Sequence, residues 1–71
     1  MRYSNLFDDV SNSVLDEAIE MWVKGSRNRE IMHKRLIDCV TFEKLAEDFD
    51  MSVRQIKNIV YKYEMIIFKH I

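Results

Sequence analysis

The apolar positions of this chain fall into four runs, each with helical spacing. Val14, Leu15, Ala18, Met21 and Trp22 recur at intervals that line one face of an α-helix. Ile31, Met32, Leu36 and Ile37 form a second run, and Phe42, Leu45, Ala46 and Phe49 a third. Val53, Ile56, Ile59, Val60, Tyr63, Ile66 and Ile67 make the fourth and longest. Start and stop signals bracket these runs. The first helix is expected over about residues 12–24, beginning near Ser11 or Ser13, where Ser13-Val14-Leu15-Asp16 has the Ser-x-x-Asp form of a cap, and ending at Gly25 as its C-terminal glycine. A second is expected over about residues 27–37, capped by Ser26. A third, short one follows Thr41, with Glu43, Lys44, Glu47 and Asp48 turned outward; acids in its first turn suit the helix dipole. Ser52-Val53-Arg54-Gln55 is a Ser-x-x-Gln capping box that opens the last helix. Helical to its end, that segment would run ~28 Å at 1.5 Å per residue. Leu6, Phe7 and Val10 either form an earlier turn or pack as a tail.

One glycine and no proline among 71 residues weigh against a sheet protein, whose tight turns consume both. The expected fold is all-α: a compact three- to four-helix arrangement, one domain over residues 1–71. The longest unbroken apolar run is Met65-Ile66-Ile67-Phe68, far below the ~20 residues of a membrane-spanning helix, so no membrane association is expected. The first ten residues hold Ser, Asn and two Asp where a signal peptide would be apolar, and a single cysteine closes no intrachain disulfide. A cytoplasmic protein is expected.

Charge changes the picture most. The net charge is −1, yet it is unevenly laid out. Residues 1–23 carry one Arg and five acids, residues 24–35 five bases and one acid, residues 36–51 one Lys and five acids, and residues 52–71 four bases and one acid. Alternating blocks make patches.

Residues 42–61 carry the functional expectation. A helix-turn-helix needs a short helix, a tight turn and a second helix laid across it, with a small residue where the backbones approach. Ala46 supplies the small residue, and Leu45, Phe49, Met51, Val53, Ile56 and Ile59 the apolar lock. Asp50-Met51-Ser52 is the turn, in which Asp tolerates a positive φ better than most residues. The last helix then exposes Ser52, Arg54, Gln55, Lys57, Asn58, Tyr61 and Lys62. Arg and Lys bridge guanine O6 and N7, and Asn and Gln pair with adenine N6 and N7.

The stretch from Thr41 to Asn58, Thr-Phe-Glu-Lys-Leu-Ala-Glu-Asp-Phe-Asp-Met-Ser-Val-Arg-Gln-Ile-Lys-Asn, resembles the C-terminal promoter-reading module of bacterial sigma factors, known as region 4. Arg29-Glu30-Ile31-Met32 and Arg35-Leu36 resemble that module's upstream helix, so the likeness covers about residues 27–62. Cys39 and Asp50 stand where many relatives carry glycine. The resemblance implies a helical domain whose last helix enters the major groove of a promoter, and upstream helices that grip RNA polymerase. The other domains of a sigma factor do not fit in 71 residues, so the chain is more similar to the small regulators of phages and mobile elements.

The expected function is sequence-specific double-stranded DNA binding in transcription regulation. Arg54, Gln55, Lys57 and Asn58 are the candidate base readers. Ser52, Tyr61, Lys62, Arg27, Arg29 and Lys34 are the candidate phosphate contacts. The alternative is a protein-interaction module that binds RNA polymerase or inhibits another nucleic-acid enzyme. Met65, Ile66, Phe68 and Ile71 leave the end of the last helix apolar on more than one side, which would suit a partner or a homodimer. Tyr63 and Trp22 are expected in the core. His33 and His70 have no metal-ligand spacing with each other or with Cys39, and no nucleophile–base constellation or Gly-rich loop is present. Neither enzyme activity, a metal nor a cofactor is expected.

Overall fold

The computed structural model describes residues 10–70, and these form four helices: α1 (Asn12–Trp22), α2 (Ser26–Leu36), α3 (Phe42–Asp48) and α4 (Val53–His70). The fold is all-α, with no strand among the described residues. Leu6, Phe7 and Ile71 lie outside them; Val10 packs half-buried against the core.

Local chemistry sets the helix ends. Ser11, rather than Ser13, caps α1: its Oγ accepts the Val14 N–H at 3.3 Å. Leu15, Ala18 and Ile19 face inward and Ser13 is in solvent. α1 stops at Trp22, two residues before the expected end, and Val23 is extended there, buried in the core. Gly25 therefore does not end α1. It is the residue before α2, at φ +90°, and its carbonyl accepts the Arg29 N–H at 3.0 Å. Ser26 is consequently the first residue of α2 rather than its cap, and that helix runs one residue earlier than the pattern suggests. The positive φ favours glycine, because a Cβ there would strain the backbone.

α3 and α4 begin as expected. Thr41 Oγ1 accepts the Lys44 N–H at 3.2 Å. At α4 the capping box is reciprocal: Ser52 Oγ accepts the Gln55 N–H at 3.1 Å, and Gln55 Oε1 accepts the Ser52 N–H at 3.0 Å. Both links that carry no glycine take the left-handed conformation, at Cys39 (φ 59°) and Asp50 (φ 54°).

The core draws on all four helices. Ile19, Val23, Ile31, Met32, Leu45, Ile56, Val60 and Ile67 are the large side chains with almost no exposure. Each contributes about 1.5–3 kcal/mol by leaving water, against about 0–1 kcal/mol for an exposed ion pair. Burial therefore holds the fold. Helix α4 packs on each of the other three helices, and Ala46 lies buried where α3 meets the following turn, its carbonyl accepting the Met51 N–H at 2.9 Å. Tyr63 is core, as expected; Trp22 is half-buried and stacks on His70 with ring centroids 3.8 Å apart.

Candidate nucleic-acid interface

The inward face of α4 is taken by Ile56, Val60, Tyr63, Glu64 and Ile67. Its only acid, Glu64, is thus buried at 5% exposure. Every charged side chain that α4 turns to solvent is basic: Arg54, Lys57, Lys62 and Lys69. None of these four forms an ion pair with a described residue. Arg54, Asn58 and Tyr61 follow one another at i, i+4 and i+7, so they share one stripe.

All four candidate base readers, Arg54, Gln55, Lys57 and Asn58, are exposed. Their surroundings separate them. Gln55 Oε1 accepts from the Ser52 N–H at 3.0 Å and from the Ser52 hydroxyl at 3.3 Å, so both lone pairs are spent on the cap. A bidentate contact to adenine needs that oxygen as an acceptor, and making it would open the capping box. Lys57 leans toward α3, its Nζ 5.7 Å from the Phe42 ring centroid. Arg54 and Asn58 are exposed, and neither side chain bonds to or pairs with a described residue.

The candidate phosphate contacts divide as well. Ser52, Tyr61, Lys62 and Arg27 are exposed, and Lys34 is half-buried. Arg29 is employed elsewhere. Its Nη1 donates to the Val23 carbonyl at 3.1 Å, and its Nε lies 3.8 Å from Glu20. Helix α1 has no basic residue in its last turn, so Arg29 supplies from α2 the positive charge its C-terminus favours. Asn28 joins it, Nδ2 donating to the Lys24 carbonyl at 3.1 Å.

Of the four candidate interface residues, Met65 and Phe68 are about half exposed, Ile66 packs against the core, and Ile71 lies outside the described residues. A separate shallow groove, lined by Val14, Glu17, Ala18, Met21, Trp22 and His70, runs beside the Trp22–His70 stack.

One cluster was illegible in the sequence. His33 Nδ1 lies 3.2 Å from Asp16 and Nε2 3.0 Å from Glu20. The i, i+4 spacing of the two acids was visible, but nothing in the sequence tied them to a histidine 13 residues beyond Glu20. The two ring nitrogens serve different carboxylates, an arrangement an imidazolium satisfies fully and either neutral tautomer only half. One ligand atom from each of Asp16, Glu20 and His33 lies within 4.8 Å of the others, and with each ring nitrogen facing a different carboxylate the cluster pins α1 to α2.

No protein-family model, no curated protein and no solved structure matches this chain.

Proposed function

We propose that this protein binds double-stranded DNA sequence-specifically and regulates transcription, with α3, its turn and α4 acting as a helix-turn-helix. The observation that carries the reading is the outward face of α4. Over 18 residues it offers unpaired Arg and Lys side chains with Asn58 among them, and its one acid is buried. A base-reading helix requires hydrogen-bonding side chains on one stripe and cations beside it for the two phosphate backbones. Arg54 and Asn58 are the readers, and Lys62 contacts phosphate. Gln55 contributes chiefly by holding the start of α4.

Selection of bound duplexes from a random pool, followed by titration of variants, tests this. Asn58→Ala should cost about 1–3 kcal/mol at one base position and relax the preference there. Lys62→Ala should weaken all sequences alike and flatten the salt dependence by about one unit of slope. Uniform loss on every duplex for both variants would remove Asn58 as a reader.

A second reading, a module that docks on RNA polymerase or on another nucleic-acid enzyme, draws support from the exposed Val14 and Met21 beside the Trp22–His70 stack. It predicts no gel shift with random duplex at low salt, together with a stable complex with purified polymerase.

A further inference from the structure

His33 stands on α2 with its ring facing two carboxylates of α1. Asp16 and Glu20 are one helical turn apart, so both project from the same face of that helix. With His33 they form the one group of metal-ligating side chains found this close together among the described residues. Spacing along the chain does not reveal the set, because its members sit on two helices, with 13 residues between Glu20 and His33 in numbering.

Carboxylates one turn apart repel each other. A neutral imidazole has one N–H and one lone pair, so one carboxylate at the ring meets a donor and the other meets a lone pair. Acceptors from two helices thus converge where a positive charge is wanted. Arg29 supplies part of it, its Nε 3.8 Å from Glu20 Oε1, but its Nη1 is committed to the Val23 carbonyl at 3.1 Å. Glu20 Oε2 is left on the His33 side, and Arg29 serves as the outer support that a ligating carboxylate commonly has.

The donor set selects the ion. Mg²⁺ and Ca²⁺ take oxygen ligands and gain nothing from an imidazole, whereas Zn²⁺ accepts imidazole nitrogen and carboxylate oxygen together. Ligand atoms around a tetrahedral zinc stand about 3.4 Å apart, so separations of up to 4.8 Å must shrink by roughly 1.4 Å. The Asp16 and Glu20 side chains are 60% and 59% exposed, so they can turn in solvent, while that of His33 is 26% exposed. The half-buried ring is the fixed ligand, and the two carboxylates close on it. The fourth position opens to water, as in other three-ligand zinc sites.

We propose that Asp16, Glu20 and His33 form a three-ligand site for a divalent transition-metal ion of the zinc type, which ties α1 to α2. The site uses no residue of α3 or α4, so it stands or falls separately from the duplex-binding reading. Its ligands come together only when the two helices pack, so the ion favours the folded chain and stabilises it.

Calorimetric titration and thermal melts of the full chain with Zn²⁺, and with Mg²⁺ for comparison, test this. One Zn²⁺ should bind per chain and raise the melting temperature, while Mg²⁺ at the same concentration does neither. His33→Gln, Asp16→Asn and Glu20→Gln should each weaken Zn²⁺ binding about tenfold or more. Cys39 and His70 are exposed and offer the competing donors, so Cys39→Ser and His70→Gln should bind Zn²⁺ as the wild type does. Ring ¹⁵N shifts of the wild-type chain place the ion directly: Zn²⁺ should move a His33 nitrogen and leave those of His70 unchanged. That spectrum carries the test if a variant no longer melts cooperatively. The proposal is overturned if the wild-type chain shows no saturable Zn²⁺ binding, the cluster then being a hydrogen-bonded pin only. Equal effects of Mg²⁺, wild-type affinity in a folded His33→Gln, or binding lost in Cys39→Ser or His70→Gln would overturn it as well.

Discussion

Cys39 and Asp50 both hold φ near +55°, a conformation that costs an ordinary L-residue roughly 1–2 kcal/mol and glycine almost nothing. Asp50 offsets part of that cost, because short polar side chains tolerate this region; the cysteine has less help. Cys39 is exposed, so little packing would be lost on replacement. Cys39→Gly should therefore raise the melting temperature, by an amount equivalent to about 0.5–1 kcal/mol, and Asp50→Gly should raise it less. A fall in thermal denaturation for Cys39→Gly would contradict this account. At this scale the sequence was partly legible. Asp50 was recognisable as a turn residue from its place between two apolar runs. Gln55 was legible as a capping residue and as a candidate base reader, and only the hydrogen bonds reveal that its oxygen is taken by the cap.

The four helices were legible as elements because each has an apolar stripe at helical period. Their ends were less so. The Ser-x-x-Asp pattern at Ser13 competed with Ser11, and it is the Ser11 hydroxyl that accepts the Val14 N–H. Gly25 reads as a helix stop from its place after the first apolar run, but α1 ends at Trp22 and the Gly25 carbonyl accepts the Arg29 N–H, which puts it at the entry to α2. The link between α1 and α2 is then held by side chains from α2, with Arg29 on Val23, Asn28 on Lys24 and His33 between Asp16 and Glu20. Arg29 had looked like a phosphate contact because its neighbours in sequence are basic. Arg29→Met, which keeps the aliphatic stem, should cost about 1.5–3 kcal/mol in chemical denaturation, the net value of a hydrogen bond from a charged group to a part-buried carbonyl. It should leave the salt slope of duplex binding unchanged. A flattened slope with unchanged stability would return Arg29 to the interface.

Over the whole molecule a single core joins all four helices, so no helix is stable apart from it. Leu45 is fully buried where α3 packs on α4. Leu45→Ala should cost about 2–5 kcal/mol, a large share of what a domain this small possesses. Circular dichroism should then show one transition at lower temperature, with duplex binding lost along the same curve. Binding that outlasted the loss of helix would show that α4 acts without the fold. The charge layout also acquires meaning only here. A total of −1 on the chain coexists with an outward face of α4 whose charged side chains are all basic, so the low total hides a local basic patch. If the chain binds duplex DNA as proposed, useful affinity should then come from base contacts or from a second binding partner.

By itself the sequence determined the all-α class, a helix number of three to four, the capping box at Ser52 and the identity of most core residues. Those features depend on local periodicity and on side chains bonding to backbone a few residues away. Tertiary structure decided which polar residues remain available. Burial of Glu64, the commitment of Arg29 to α1, the pinning of His33 between two carboxylates and the meeting of Arg35 and Lys57 at Phe42 are all contacts between segments distant in sequence. Hydrophobic period says only which way a face points. Which side chains then meet depends on how the helices pack.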